Sequence, residues 1–105
     1  MSTEETNDKQ VKETLRKLMK YAIHTISFEK QDGSIRKMVC TTNLDCIPVE
    51  HHPRGSVNKL DSGDVMRVYD LELEEWRSFR YSSILGWSVR MIQSDDIVNP
   101  GYMNY

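Results

Sequence analysis

Apolar residues recur along this chain with two different periods, and the change from one to the other marks its organisation. Val11, Leu15, Leu18, Met19 and Ala22 follow an i, i+4, i+7, i+8, i+11 spacing, with Lys9, Lys12, Glu13, Arg16 and Lys17 between them. That spacing draws one apolar stripe down an α-helix. Asn7 followed by Gln10 resembles a capping box and sets the helix start near Asp8. Over residues 21–28 the chain turns β-branched and aromatic, with Ile26 and Phe28 two apart, so the helix runs almost directly into a strand.

Period-two patterns then repeat. Asp32-Gly33 predicts a type I′ hairpin, and residues 35–42 return as a second strand antiparallel to the first. Residues 65–71 and 76–81 read as a third and fourth strand around a short acidic turn at 72–75, with Arg77, Phe79 and Tyr81 sharing a face. A fifth strand over 84–92 carries Leu85, Trp87, Val89 and Met91 in alternation, four apolar side chains on one face. Phe28, Trp76, Phe79 and Trp87 are read as core. Residues 43–64 hold two of the three prolines, two of the five glycines and the His51-His52 pair, which describes a long exposed connection and a place to look for contacts. Residues 93–105 show no period and read as a tail.

Five short strands joined by turns expose less edge when they curl together. The expected fold is mainly β (α+β): an N-terminal helix, residues 1–20, packed on a small five-stranded SH3/Sm-like antiparallel barrel, residues 21–92, with a C-terminal tail, residues 93–105. Periodicity leaves open an open antiparallel sheet with the helix across one face.

Composition narrows the function more than the fold. At 105 residues there is room for one domain. A net charge of −2 argues against whole-molecule attraction to nucleic acid and leaves room for a local basic face. No apolar run approaches the roughly 18–20 residues that span a bilayer, and the N-terminus lacks the basic start and apolar stretch of a signal peptide, so we expect a cytoplasmic protein without membrane contact. Cys40 and Cys46 form no CxxC and read as reduced thiols. His24, His51 and His52 offer no metal-ligand spacing, and no nucleophile elbow, phosphate loop or paired carboxylates are legible. We therefore expect no enzyme, no cofactor and no metal.

Arginines on the predicted strands are the remaining chemistry. Arg36, Arg67, Arg77, Arg80 and Arg90 could grip phosphates bidentately while Tyr69, Trp76 or Tyr81 stack on bases. The competing reading pairs them on a solvated face with Asp70, Glu72, Glu74 and Glu75. Tyr102, Met103 and Tyr105 are candidate protein-contact anchors.

The hairpin Asp32-Gly33-Ser34-Ile35-Arg36-Lys37-Met38-Val39-Cys40-Thr41, then Val68-Tyr69-Asp70-Leu71 and Trp76-Arg77-Ser78-Phe79-Arg80-Tyr81-Ser82-Ser83-Ile84, resembles small proteins of tailed bacteriophages akin to the WYL domain, an Sm-like SH3 barrel. The resemblance covers roughly residues 20 to 90. It implies a barrel that senses ligands or nucleic acid through an arginine and polar residues on its strands, and Arg77-x-Phe79-Arg80 is similar to the Arg-x-Phe-Arg motif of that group. Ser83 stands where full WYL domains place an arginine. The implied function is that of a phage accessory protein engaging a host protein or nucleic acid. A small-molecule or nucleotide sensor and a structural homo-oligomer are the alternatives.

A cytoplasmic chain without a disulfide has a direct signature: denatured and alkylated without reductant, it should take up two labels by mass spectrometry, one each on Cys40 and Cys46. No uptake at either thiol would overturn the cytoplasmic reading.

Overall fold

A helix that passes straight into a strand leaves its last carbonyls without intrahelical partners, and the packing of this one answers that need. The computed structural model describes residues 3–53 and 61–99, with backbone alone for 3–8, 61 and 62. Helix α1 spans Thr3–Met19 and strand β1 spans Ala22–Glu29. Thr41 Oγ1 lies 3.0 and 2.9 Å from the carbonyls of Met19 and Ala22 and donates its single proton between them. The Thr42 amide also reaches the Met19 carbonyl, at 3.0 Å, and Asn43 Nδ2 donates to that of Lys20 at 2.8 Å. The Leu18 carbonyl is met by His24 Nε2 at 2.9 Å.

The helix begins earlier than its sequence predicts. It starts at Thr3, so Asn7 lies within the helix and not ahead of it. Of the predicted stripe Leu15, Met19 and Ala22 are buried, Ala22 as the first residue of β1, while Val11 and Leu18 stay exposed.

Strand β2, Ile35–Thr41, pairs antiparallel with β1, placing Ile26 opposite Met38 and His24 opposite Cys40. Their connection differs from the predicted type I′ turn. Gly33 alone has positive φ, at 88°, and its amide donates to the Lys30 carbonyl, while the Lys30 amide donates to that of Ser34. This is a type I turn closed by a glycine bulge, which requires positive φ at one residue and not two. Asp32 still shapes it, accepting from the amide and hydroxyl of Ser34.

Strands β3 (Asp61–Ser62), β4 (Val65–Asp70), β5 (Glu75–Arg80) and β6 (Ile84–Met91) complete one antiparallel sheet. Its order across is β5-β4-β2-β1-β6, with the two-residue β3 sharing an edge of β4 with β2. The sheet curls without closing: among the described residues β5 and β6 are each paired on one side only. The chain passes from β5 to β6 through a 3₁₀ turn at Tyr81–Ser83 that turns a corner and makes no hairpin.

Strand alternation gives the sheet two covered faces. On the first, Leu15 and Met19 of α1 pack with Ile26, Met38, Cys40, Met66, Val68, Phe79 and Tyr81, and Phe28 and Ile84 border them. On the second, Ile23, Thr41 and Tyr69 are buried together with Cys46 and Ile47 of the following segment. Residues 43–53 are therefore no open loop. Two 3₁₀ turns, Leu44–Cys46 and Val49–His51, are tied down by His52 Nε2 at the Leu44 and Ile47 carbonyls and by His51 Nδ1 at the Tyr69 hydroxyl, 2.7 Å away. Part of the expected tail joins them: the Val98 and Asn99 amides donate to the Asp45 carbonyl.

The largest correction concerns β6. Leu85, Trp87, Val89 and Met91 do share a face, the one on which α1 packs, yet they are 58, 36, 49 and 81% exposed. The helix residues that reach the core lie over the other strands, and the outermost strand is left uncovered. Of the four aromatics read as core, only Phe79 is fully enclosed; Trp76 is half-buried on the second face.

Two buried polar groups yield predictions. Trp87 Nε1 can only donate, and it donates to His24 Nδ1 at 2.8 Å, so the His24 proton sits on Nε2 and satisfies Leu18. Protonation would turn Nδ1 into a second donor facing the indole. Burial, first, holds the His24 pKa below its ordinary value, with the Leu18 carbonyl opposing in part. As pH falls through about 6.5 the unfolded imidazole takes up a proton that the folded site refuses, so stability declines below that pH. Melting curves from pH 7.5 to 5 should show the decline, and His24→Gln should flatten it.

Asp70 is buried; Oδ1 accepts the Glu72 and Leu73 amides at 2.9 Å each, and Oδ2 accepts Arg36. Its carbonyl accepts the Glu74 amide at 2.8 Å, closing a turn in which Glu74 takes φ 58°. Arg36→Met keeps the aliphatic stem and strands the carboxylate, which should cost about 3 kcal/mol. Arg77→Ala removes only an exposed pair with Glu75 and should cost under about 1 kcal/mol, and urea unfolding of both variants beside wild type measures the two losses.

Candidate functional site

Long-range pairing decides which of the strand arginines are free to bind anything. Arg36 lies on the helix-facing side of β2 and is held by Asp70. Arg90 makes a bidentate pair with Asp96, at 2.8 and 2.9 Å, that drives the Asp96 pKa down to about 2. Arg77 lies opposite Val68, on the helix-facing side at the sheet rim, and its Nε is 3.0 Å from Glu75. All three carry a carboxylate partner.

Arg67 and Arg80 do not, among the described residues. The β4–β5 register sets Val65 opposite Arg80, Arg67 opposite Ser78 and Tyr69 opposite Trp76. Alternation turns Arg67, Ser78, Arg80 and Trp76 to the second face, where the two arginines are diagonal neighbours roughly 7–8 Å apart across the Ser78 position. The Arg67 guanidinium sits 5.9 Å from the centre of the Trp76 ring. Trp76 is fixed in turn: its Nε1 donates to the His51 carbonyl at 2.7 Å and its ring meets Tyr69 edge-on. The result is an exposed, cationic, aromatic-floored patch on a rigid hairpin.

The other predicted contacts sort differently. Tyr69 is buried, with its hydroxyl on His51, and Tyr81 is buried against Phe79 with Lys12 5.5 Å over its ring. Neither ring offers a face for base stacking, because each is needed to fill the core of so small a sheet. Arg36, Arg67, Arg77, Arg80, Tyr69 and Tyr81 therefore do not form one site; Arg67 and Arg80 do come together. Tyr102, Met103 and Tyr105 lie outside the described residues.

Reactive groups elsewhere are occupied. Burial, with the Asp70 charge beside it, pushes the Cys40 thiol up to about 12, and burial near Asp96 and Asp45 pushes Cys46 up to about 11. Neither is a thiolate near neutral pH. A shallow cleft of about 370 Å³ opens between Tyr69, Pro48, Glu74 and the Arg90–Asp96 pair, whose charges are spent on each other. Among the described residues no three His, Cys, Asp or Glu side chains converge as a metal site, and no helix is long and apolar enough to cross a membrane.

Nothing in the local sequence around Arg67 marks it out from Arg36 or Arg90. Its freedom depends on Asp70 and Asp96 being elsewhere, and on Trp76 being turned beneath it by a residue from the 43–53 segment. The Trp76–His51 contact and the His24–Trp87 contact both join residues far apart in the chain and left no sequence signal.

This architecture has recognisable relatives. Residues 12–85 match the model of the WYL_2 family, described as an Sm-like SH3 β-barrel fold. A protein of Enterobacteria phage T4, described as an uncharacterized 11.5 kDa protein in the Gp31-cd intergenic region, is 29% identical over 76 residues, covering 71% of this chain and 74% of that one. No solved structure gives a significant match. With a family model spanning the second half of the helix, the curled sheet and the start of its last strand, the chain belongs to the WYL_2 family of Sm-like SH3 barrels.

Proposed function

We propose that this is a non-enzymatic binding protein which engages an anionic host macromolecule in the cytoplasm during phage infection, with the Arg67–Arg80–Trp76 face as its contact surface. The infection context is drawn from the phage relative. The observation that carries the reading is the pair of arginines that have no carboxylate partner among the described residues, set side by side on a hairpin whose third arginine, Arg77, is paired with Glu75 on the opposite face. Two guanidiniums at that spacing suit a phosphate backbone, which offers repeated bidentate acceptors, and an indole floor suits a base. The overall charge of −2 fits a protein that binds locally and does not coat nucleic acid at large. Single-stranded nucleic acid matches the combination better than an acidic protein surface, because the aromatic floor would then have a partner as well.

A pull-down from host lysate, with and without nuclease, separates the two classes of partner: loss of all partners on nuclease treatment favours nucleic acid, and a protein that survives it sinks this choice. Titration with a single-stranded oligonucleotide then tests the surface. Arg67→Ala and Arg80→Ala should each weaken binding and reduce the salt slope by about 0.7, the value for one phosphate contact on a single strand. Arg67→Lys should recover only part of the loss. Arg77→Ala should bind as wild type, since Arg77 lies on the opposite face with Glu75.

A further inference from the structure

Among the described residues the curled sheet leaves two edges unpaired, and this protein treats them differently. The β5 edge carries Glu75, Arg77 and Arg80 among its six residues, charges that discourage a further strand from pairing. The β6 edge carries one charge in eight residues, Arg90, and that one is turned away from the helix-facing side and bound to Asp96. On the helix-facing side of β6 stand Leu85, Trp87, Val89 and Met91, all exposed. Leu18, in the last turn of α1, and Tyr21, just before β1, are exposed as well. An unpaired strand with an uncharged apolar face is a surface that normally has an occupant.

We infer that the occupant is β6 of a second copy, paired antiparallel about a two-fold axis centred on Ser88. An axis of that kind stands perpendicular to the sheet, so side chains of the same face meet. Centred on Ser88, it sets Trp87 opposite Val89 of the second copy and Leu85 opposite its Met91, which matches large with small and pairs all four apolar residues. On the other face Arg90 meets Gly86, so no like charges face each other and the Arg90–Asp96 pair has room to persist. Neighbouring registers lose this match. Centring on Trp87 sends Met91 to Ser83 and sets Arg90 against Ile84; centring on Val89 sends Leu85 beyond the strand to Gln93 and sets Arg90 against Ser88.

The central contact is held ready. Trp87 donates to His24 at 2.8 Å and stacks on its ring with centroids 6.0 Å apart, so the indole is positioned before a partner arrives. A restrained aromatic at the middle of a patch loses little freedom on association. The pairing would join two sheets into one and present both copies of the second face on the same side. Where the proposed Arg67–Arg80 surface is correct, two such surfaces would then act together on one extended polyanion, although the interface stands without that reading.

The full chain tests this directly. At about 100 µM, well above the micromolar dissociation constants typical of modest interfaces, light scattering on a sizing column should give twice the 12.3 kDa chain mass. Val89→Glu should return it to one chain mass. Ser88→Cys places two thiols across the axis, where cross-strand Cα atoms lie roughly 4.5–5.5 Å apart, within disulfide range. Mild oxidation should convert it to a covalent dimer on a non-reducing denaturing gel, while Ser78→Cys on β5 should not respond. The native cysteines are buried and do not compete. If Val89→Glu fails to fold, the Ser88→Cys result still decides. A monomeric wild type at this concentration, or a dimer in which Ser88→Cys cross-links no better than Ser78→Cys, would overturn the inference.

Discussion

Three carbonyls at the end of α1 govern how this molecule is assembled. Leu18, Met19 and Lys20 close the helix and lead into β1 with no glycine or proline to break the chain, and the Met19 carbonyl is buried with its Thr41 donor. The Tyr21 amide reaches the Leu18 carbonyl within the turn, and the other partners come from β1, the end of β2 and the two residues after it: His24, then Thr41, Thr42 and Asn43. A buried carbonyl without a donor would cost on the order of 1–3 kcal/mol, so these contacts hold the helix at one angle to the sheet. That angle determines what the helix covers. Leu15 and Met19 reach the core over the inner strands, and β6 is left bare beyond them.

The same economy of buried polar groups sorts the charges. Asp70 is enclosed and must be met, and it is met by Arg36 and two turn amides; Asp96 organises its own turn and takes Arg90. Once these demands are filled, the strand arginines that have no carboxylate partner among the described residues are Arg67 and Arg80, on the exposed side of the β4–β5 hairpin. The proposed contact surface would thus arise by subtraction, on the face opposite the helix and away from the β6 edge. The two features can act without interfering with each other.

How much of this was legible in the sequence varies from element to element. The hairpin of β1 and β2 was plain because Asp32-Gly33 interrupts two β-branched runs, although the turn type depended on whether Asp32 itself adopts positive φ. Strands β4, β5 and β6 were found within a residue or so of their ends, since period-two alternation is a local property. The tie of residues 43–53 to the sheet was invisible, because histidines, prolines and short polar residues signal a loop whether or not a distant tyrosine hydroxyl waits for one of them. Candidate arginines were identified as a class, but Arg67 and Arg80 could not be told from Arg36.

Alternation along each strand, the amphipathic stripe of the helix and the turn residues were enough to specify a helix followed by a small curled antiparallel sheet, because these signals depend on neighbours two to four positions away. Which apolar face ends up covered was decided only in three dimensions. Leu85, Trp87, Val89 and Met91 have the pattern of core residues, and they lie exposed because the one helix available is anchored by its carbonyls over other strands. Burial and charge pairing are properties of what arrives from elsewhere in the chain, and no local pattern records that.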